Sequence, residues 1–109
     1  MVSVGLYVRL EAKPGKEKEV EKFITEALPI VRGEPDTIAW FGLRMGPSLF
    51  GIFDAFPHEK GRQAHLAGRI ATALKDKASD LLVKPPVIEQ IDILASKLPA
   101  EVEAKKKAA

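Results

Sequence analysis

The chain has two histidines, His58 and His65, and both fall in one stretch, "FPHEKGRQAHLAGRI", residues 56 to 70. A histidine with an ordinary pKa of about 6.5 gives and takes protons near neutrality, so these are the natural acid–base candidates. They are not a metal pair. Seven positions separate them, which on a helix is one face but about 10 Å along the axis, whereas two ligands on one helix usually stand at i, i+4. His58 falls in a first helical turn beside Glu59 and Lys60 and reads as exposed. His65 follows Ala64 of an apolar stripe and reads as the edge of a buried face, either as a working base or as a half-buried histidine bonded to backbone or water.

Asp54 is the second unusual residue. It interrupts the apolar run "FGIFDAF", and a buried aspartate is rare unless paired. One reading is an ion pair with Arg44 across a hairpin. The other turns Asp54 toward the layer that His65 faces, where a carboxylate could orient the imidazole and raise its basicity. Trp40 and Arg44 share a strand face and could form a packing unit or an anion contact. There is no Walker-type glycine loop, no dinucleotide fingerprint and no Gly-x-Ser-x-Gly elbow.

The elements that must position these residues can be read from periodicity. "VSVGLYVRL" alternates, with Val2, Val4, Leu6, Val8 and Leu10 on one face, and is a strand. After the Pro14-Gly15 turn, Val20, Phe23, Ile24, Ala27, Leu28 and Val31 follow helical spacing, and Pro29 is expected to kink or finish that helix. "TIAWFGLRM" and "SLFGIFDAF", joined by Gly46-Pro47, read as a hairpin. In the second run Phe50, Ile52 and Phe56 share one face, and Leu49 and Phe53 the other. Pro57 suits a first helical position. Ala64, Ala67, Ala71, Leu74, Ala78 and Leu81 continue a helix that Gly61 and Gly68 weaken, with a break expected near Gly68. "VIEQIDIL" is the last strand.

This order, β-α-β-β-α-β, is the ferredoxin-like α+β plan: a four-stranded antiparallel sheet with its helices on one face. Large apolar groups fall on both sides of the sheet, so a second copy of the chain is expected to cover the open face and form a homodimer. One domain is expected over residues 1–99, followed by a charged tail over residues 100–109.

Composition fits a globular protein, with 46% hydrophobic and 29% charged residues among 109. The net charge of +2 comes from Lys105, Lys106 and Lys107; without them 14 basic residues face 15 acidic ones, so charge gives no case for nucleic acid. There is no apolar run long enough for a membrane span and no visible signal peptide, and the absence of cysteine excludes thiolate metal sites and disulfides. The expected location is cytoplasmic.

"KPGKEKEVEKF", "EPDTIAWFGLR" and "FGIFDAF" running into "PHEKGRQAHL", taken in order, resemble the antibiotic biosynthesis monooxygenase family of the dimeric α+β barrel superfamily. The resemblance spans roughly residues 2 to 98. It implies a ferredoxin-like protomer whose sheet pairs with a partner's, and a pocket between sheet and helices. It also implies oxygenation of quinols or phenolic aromatics without metal or flavin, as in characterised relatives, although other members degrade haem and many have no known substrate; no cofactor is expected here. Members place a histidine about nine residues after an aromatic that closes the third strand; Phe56 and His65 match, although the aromatic is commonly Trp, and a second histidine often found five residues later is Ile70 here. On this reading His65 is the base and Asp54 its orienting carboxylate, and Phe50, Phe56, Trp40 and Arg44 surround the substrate. The alternative is a dimer of the same fold that binds a small molecule without turning it over.

Overall fold

The computed structural model describes residues 1–99; the tail expected over 100–109 lies outside them. Seven elements follow in order: β1 Val4–Glu11, α1 Glu17–Arg32, β2 Ala39–Arg44, β3 Leu49–Phe56, α2 Glu59–Leu66, α3 Arg69–Leu81 and β4 Val87–Asp92. The strands form one antiparallel sheet in the order β2-β3-β1-β4, the ferredoxin-like arrangement. Gly15 takes φ 85° in the turn before α1, a conformation open to glycine and costly for other residues.

Register divides the sheet cleanly. Leu6 pairs with Asp54 and Val8 with Ile52, while Trp40 stands opposite Asp54 and Arg44 opposite Phe50. All of these side chains share the face toward the helices. There Val8, Leu10, Phe50 and Ile52 pack with Val20 and Ile24 of α1 and with Leu81 of α3 in the main core. The other face carries Tyr7, Phe41, Leu43, Leu49 and Phe53, and no element among the described residues covers it. Phe41 is half exposed, and its ring stacks on Phe53 at a centroid distance of 6.2 Å.

Three local expectations are corrected. Helix α1 continues through Pro29 to Arg32, because Ala27 and Val31 remain buried against Ile70 and hold the last turn. Pro57 lies before the helix cap rather than inside the helix; the cap is His58, whose Nδ1 accepts a hydrogen bond from the Gly61 amide at 3.0 Å. Ala64 and Ala67 are exposed, and α2 instead buries Gly61, Arg62 and His65. His65 is thus part of the buried face and not its edge. The helical pattern does break at Gly68, which caps α3. Among the described residues no helix is long and apolar enough to cross a membrane.

Candidate active site

Three elements bring three ionisable side chains into contact. Asp54 lies on β3, fully buried at 1% exposure; His65 lies on α2, buried at 8%. Glu34 comes from the loop between α1 and β2. That loop is fixed by backbone bonds from Glu34 N to Val31 O at 3.0 Å and from Ile38 N to Ala55 O at 3.0 Å. Helix α2 can approach it because residue 61 is glycine: a Cβ there would meet Asp36 Cβ at 2.9 Å. The glycine that weakens the helix is what allows the close packing.

The imidazole is held at both nitrogens. Nδ1 and Glu34 Oε1 are 2.6 Å apart, and the Thr37 hydroxyl donates to the same oxygen at 2.7 Å. Nε2 lies 3.1 Å from Asp54 Oδ2. This is an ion-pair approach that falls short of hydrogen-bond alignment, so among the described residues both Asp54 oxygens are buried without a hydrogen-bond partner. The Phe56 ring flanks the imidazole at 5.4 Å between centroids. A buried carboxylate with free lone pairs is costly to keep, and such exceptions call for an explanation in function.

Burial pushes the Asp54 carboxyl above its ordinary value and the Glu34 charge adds to this; contact with His65 offsets only part of it. For His65 burial acts downward, but the contacts with Asp54 and Glu34 outweigh it and leave the imidazole above its ordinary value. The groups are close enough to titrate as a unit. Both shifts are upward, so the folded state binds more protons than the unfolded chain in the affected range. Stability should therefore fall as pH rises from about 6.5, the ordinary histidine value, through the raised folded value. Thermal melts between about pH 6 and about pH 9 should show a falling Tm. The double variant Asp54→Asn/His65→Gln should flatten that slope; an equal slope would place its origin elsewhere.

His65 stands between two spaces. On the Asp54 side is a cavity of about 290 Å³ between the sheet and α3, with apolar walls from Leu6, Val8, Ile52, Ile70 and Leu74. Lys75 and the half-exposed Ile88 form its outer rim. The volume is at the lower end of the roughly 300–1,000 Å³ usual for ligand sites, which suits a small ligand. On the Glu34 side is a surface cleft of about 530 Å³, lined by Pro29, Glu34, Asp36, His65 and Arg69 among others.

The structure therefore brings Asp54, His65 and Phe56 together and separates the other candidates from them. Trp40 packs into the core between α1 and the sheet, with its Nε1 buried and without a hydrogen-bond partner. Arg44 does not reach Asp54; it pairs with Glu21 at 3.0 Å and lies 4.9 Å over the Phe50 ring. Trp40, Phe50 and Arg44 do not line the cavity that holds Asp54 and His65, and Phe56, though its ring flanks His65, does not line it either. Phe50 and Arg44 instead border a smaller crevice with Glu21 and Ile24. Sequence reasoning missed Glu34 and Lys75. Nothing local distinguishes Glu34 in "RGEPD", since its partner is 31 positions away. Also missed was Arg62, buried on α2, which joins Glu59 through two bonds and donates to Gly5 O and Ile91 O at 3.2 Å each. Among the described residues, no group of three or more potential ligands is arranged to hold a metal ion.

No family model and no curated protein matches the chain. Solved structures do. The NE2512 protein of Nitrosomonas europaea, of unknown function, is 55% identical, with 91% of this chain and 96% of that one covered and a TM-score of 0.89. A second Nitrosomonas europaea protein, provisionally named an antibiotic biosynthesis monooxygenase, is 16% identical at a TM-score of 0.77, with coverage of 88% and 94%. Another protein named an antibiotic biosynthesis monooxygenase is 17% identical at a TM-score of 0.72, with coverage of 84% and 99%. At those identities the last two speak to the fold.

Proposed function

This chain belongs to one family with the NE2512 protein of Nitrosomonas europaea and has the fold of the antibiotic biosynthesis monooxygenases, and from that premise we propose that it is a cofactor-independent monooxygenase of small phenolic or hydroquinone substrates. The observation that carries the reading is the Asp54–His65 pair: a buried carboxylate with unbonded oxygens, in contact with an imidazole, on the wall of an apolar cavity.

A hydroquinone can reduce O₂ only once it is ionised. The Asp54–His65 pair takes the phenolic proton as one coupled base, with His65 as the member that accepts it. The hydroquinone anion then passes an electron to O₂, and the resulting radicals combine into a hydroperoxide on a ring carbon. Loss of water, with return of the proton, leaves a hydroxyquinone. The balance is hydroquinone plus O₂ giving hydroxyquinone plus water, so the substrate supplies every electron and no separate reductant is needed. The apolar walls keep water from the charged intermediates, and Lys75 at the rim is a cation that suits the substrate oxyanion. Oxygen uptake with a panel of one- and two-ring hydroquinones, together with ¹⁸O₂ labelling of the product, tests this. Uptake with one labelled oxygen in the product supports it; binding without uptake leaves a small-molecule carrier.

The same reading makes the protein a cytoplasmic homodimer. The exposed face with Tyr7, Phe41 and Phe53 is supported on this side by the sheet alone, and a second copy presents the matching surface. Sedimentation at micromolar concentration should give about twice the 11.9 kDa chain mass, and a Phe41→Lys variant should shift the particle toward monomer. A wild-type monomer would remove the barrel from the proposal.

A further inference from the structure

We propose that His65 and Glu34 form a proton conduit between the apolar cavity and the surface cleft, with Glu34 as the outer proton-carrying residue of the site. The inference rests on the oxygenase reading for its use in turnover, but its geometry stands apart from it. One imidazole edge meets Asp54 in the cavity at 3.1 Å, and the other meets Glu34 in the cleft at 2.6 Å. Among the described residues His65 alone lines both spaces. The cavity walls offer a proton no other exit past ionisable groups except the rim at Lys75.

The steps balance. A substrate proton passes by way of Asp54 to Nε2, and the Nδ1 proton moves to Glu34, leaving the imidazole neutral in its other tautomer. When the hydroperoxide loses water the same steps run backward. The round trip restores the starting tautomer without a ring flip, which the contacts at both nitrogens would oppose. The oxygenation releases no net proton, so a group that holds one proton and returns it serves the chemistry, and Glu34 would hold it outside the dry cavity. The charged groups around the path are Asp54 from β3, Glu34 and Asp36 from the loop, Arg69 from α3 on the cleft side, and Lys75 from α3 on the cavity side.

Two measurements on the full-length protein test this. In substrate-free protein, NMR exchange of the His65 ring protons with solvent should slow by about 10-fold or more in Glu34→Gln and stay close to wild type in Glu34→Asp. Where a hydroquinone is turned over, Glu34→Ala should lower kcat by about 10-fold or more with KM unchanged, and acetate added to the open cleft should restore part of it. This loss is placed below the usual range for direct general-base catalysis, roughly 10²-fold and upward, because Glu34 acts one step removed. Unchanged ring-proton exchange in Glu34→Gln, with His65 still against Asp54, overturns the conduit. So does full kcat in Glu34→Ala. If wild type oxygenates no hydroquinone, the oxygenase reading falls, and the exchange measurement alone decides the conduit.

Discussion

On the proposed oxygenase reading, His65→Ala is expected to lower hydroquinone turnover by about 10²-fold or more while the protein stays folded and keeps its wild-type oligomeric state. The magnitude is the low end of general acid–base effects. Removing the imidazole takes away the group that joins Asp54 to Glu34, so neither carboxylate alone can replace it. Stability should change less than for an apolar core residue. The imidazole helps hold a buried carboxylate, but Asp54 can take up a proton once its partner is gone, since burial already drives it that way. His58→Ala is the control. It loses the helix cap and about 1 kcal/mol of stability, with turnover kept. Equal turnover in wild type and His65→Ala would remove this residue from the chemistry. Unfolding of the variant would make His65 a structural residue; the exchange behaviour of His65 in the wild-type protein would then be the remaining evidence for a role.

The largest expected loss of stability belongs to Phe50→Ala. Phe50 is 2% exposed and packs in the main core with Leu10, Val20, Ile24 and Leu81. Truncating such a ring removes about 3–5 kcal/mol, which for a chain near 100 residues lowers Tm by about 12 °C or more. The guanidinium of Arg44 also loses the ring it lies over. A raised KM with Tm unchanged would instead return Phe50 to the ligand site. Phe50 and Phe56 are alike in sequence, since both are inward aromatics of one strand. They differ in what the helices bring down on them: α1 and the end of α3 over Phe50, and His65 of α2 beside Phe56.

That contrast marks how far the sequence could be read. The β-α-β-β-α-β order, the hairpin at Gly46-Pro47 and the inward face of β3 all follow from local periodicity and turn chemistry, and the structure has them. Asp54 was recognisable because it breaks an apolar run, and His65 because it is one of two histidines and stands nine residues after Phe56. The phase of α2 was not, because its alanines suggested a stripe, whereas close packing on the loop at Asp36 turns Gly61, Arg62 and His65 inward. Glu34 was out of reach for a different reason. A surface-type residue in a loop becomes part of a site only through a tertiary contact, and no period or spacing encodes that.

The strand order also has a consequence for synthesis. β1 is made first, yet it lies inside the sheet and pairs with β3 on one side and β4 on the other, Val4 meeting Asp92 at the far end of the domain. At ribosomal rates of about 5–20 residues per second, roughly 4 to 16 s pass between the emergence of these two strands. During that interval Leu6, Val8 and Leu10 have no finished core to enter. The nascent chain thus carries β1 unpaired until β3 emerges and with one edge open until β4 emerges, which makes it a natural client for chaperones that hold exposed strands. Moving β1 to the end of the gene by circular permutation should shorten that exposure and raise soluble yield in cells with reduced chaperone capacity.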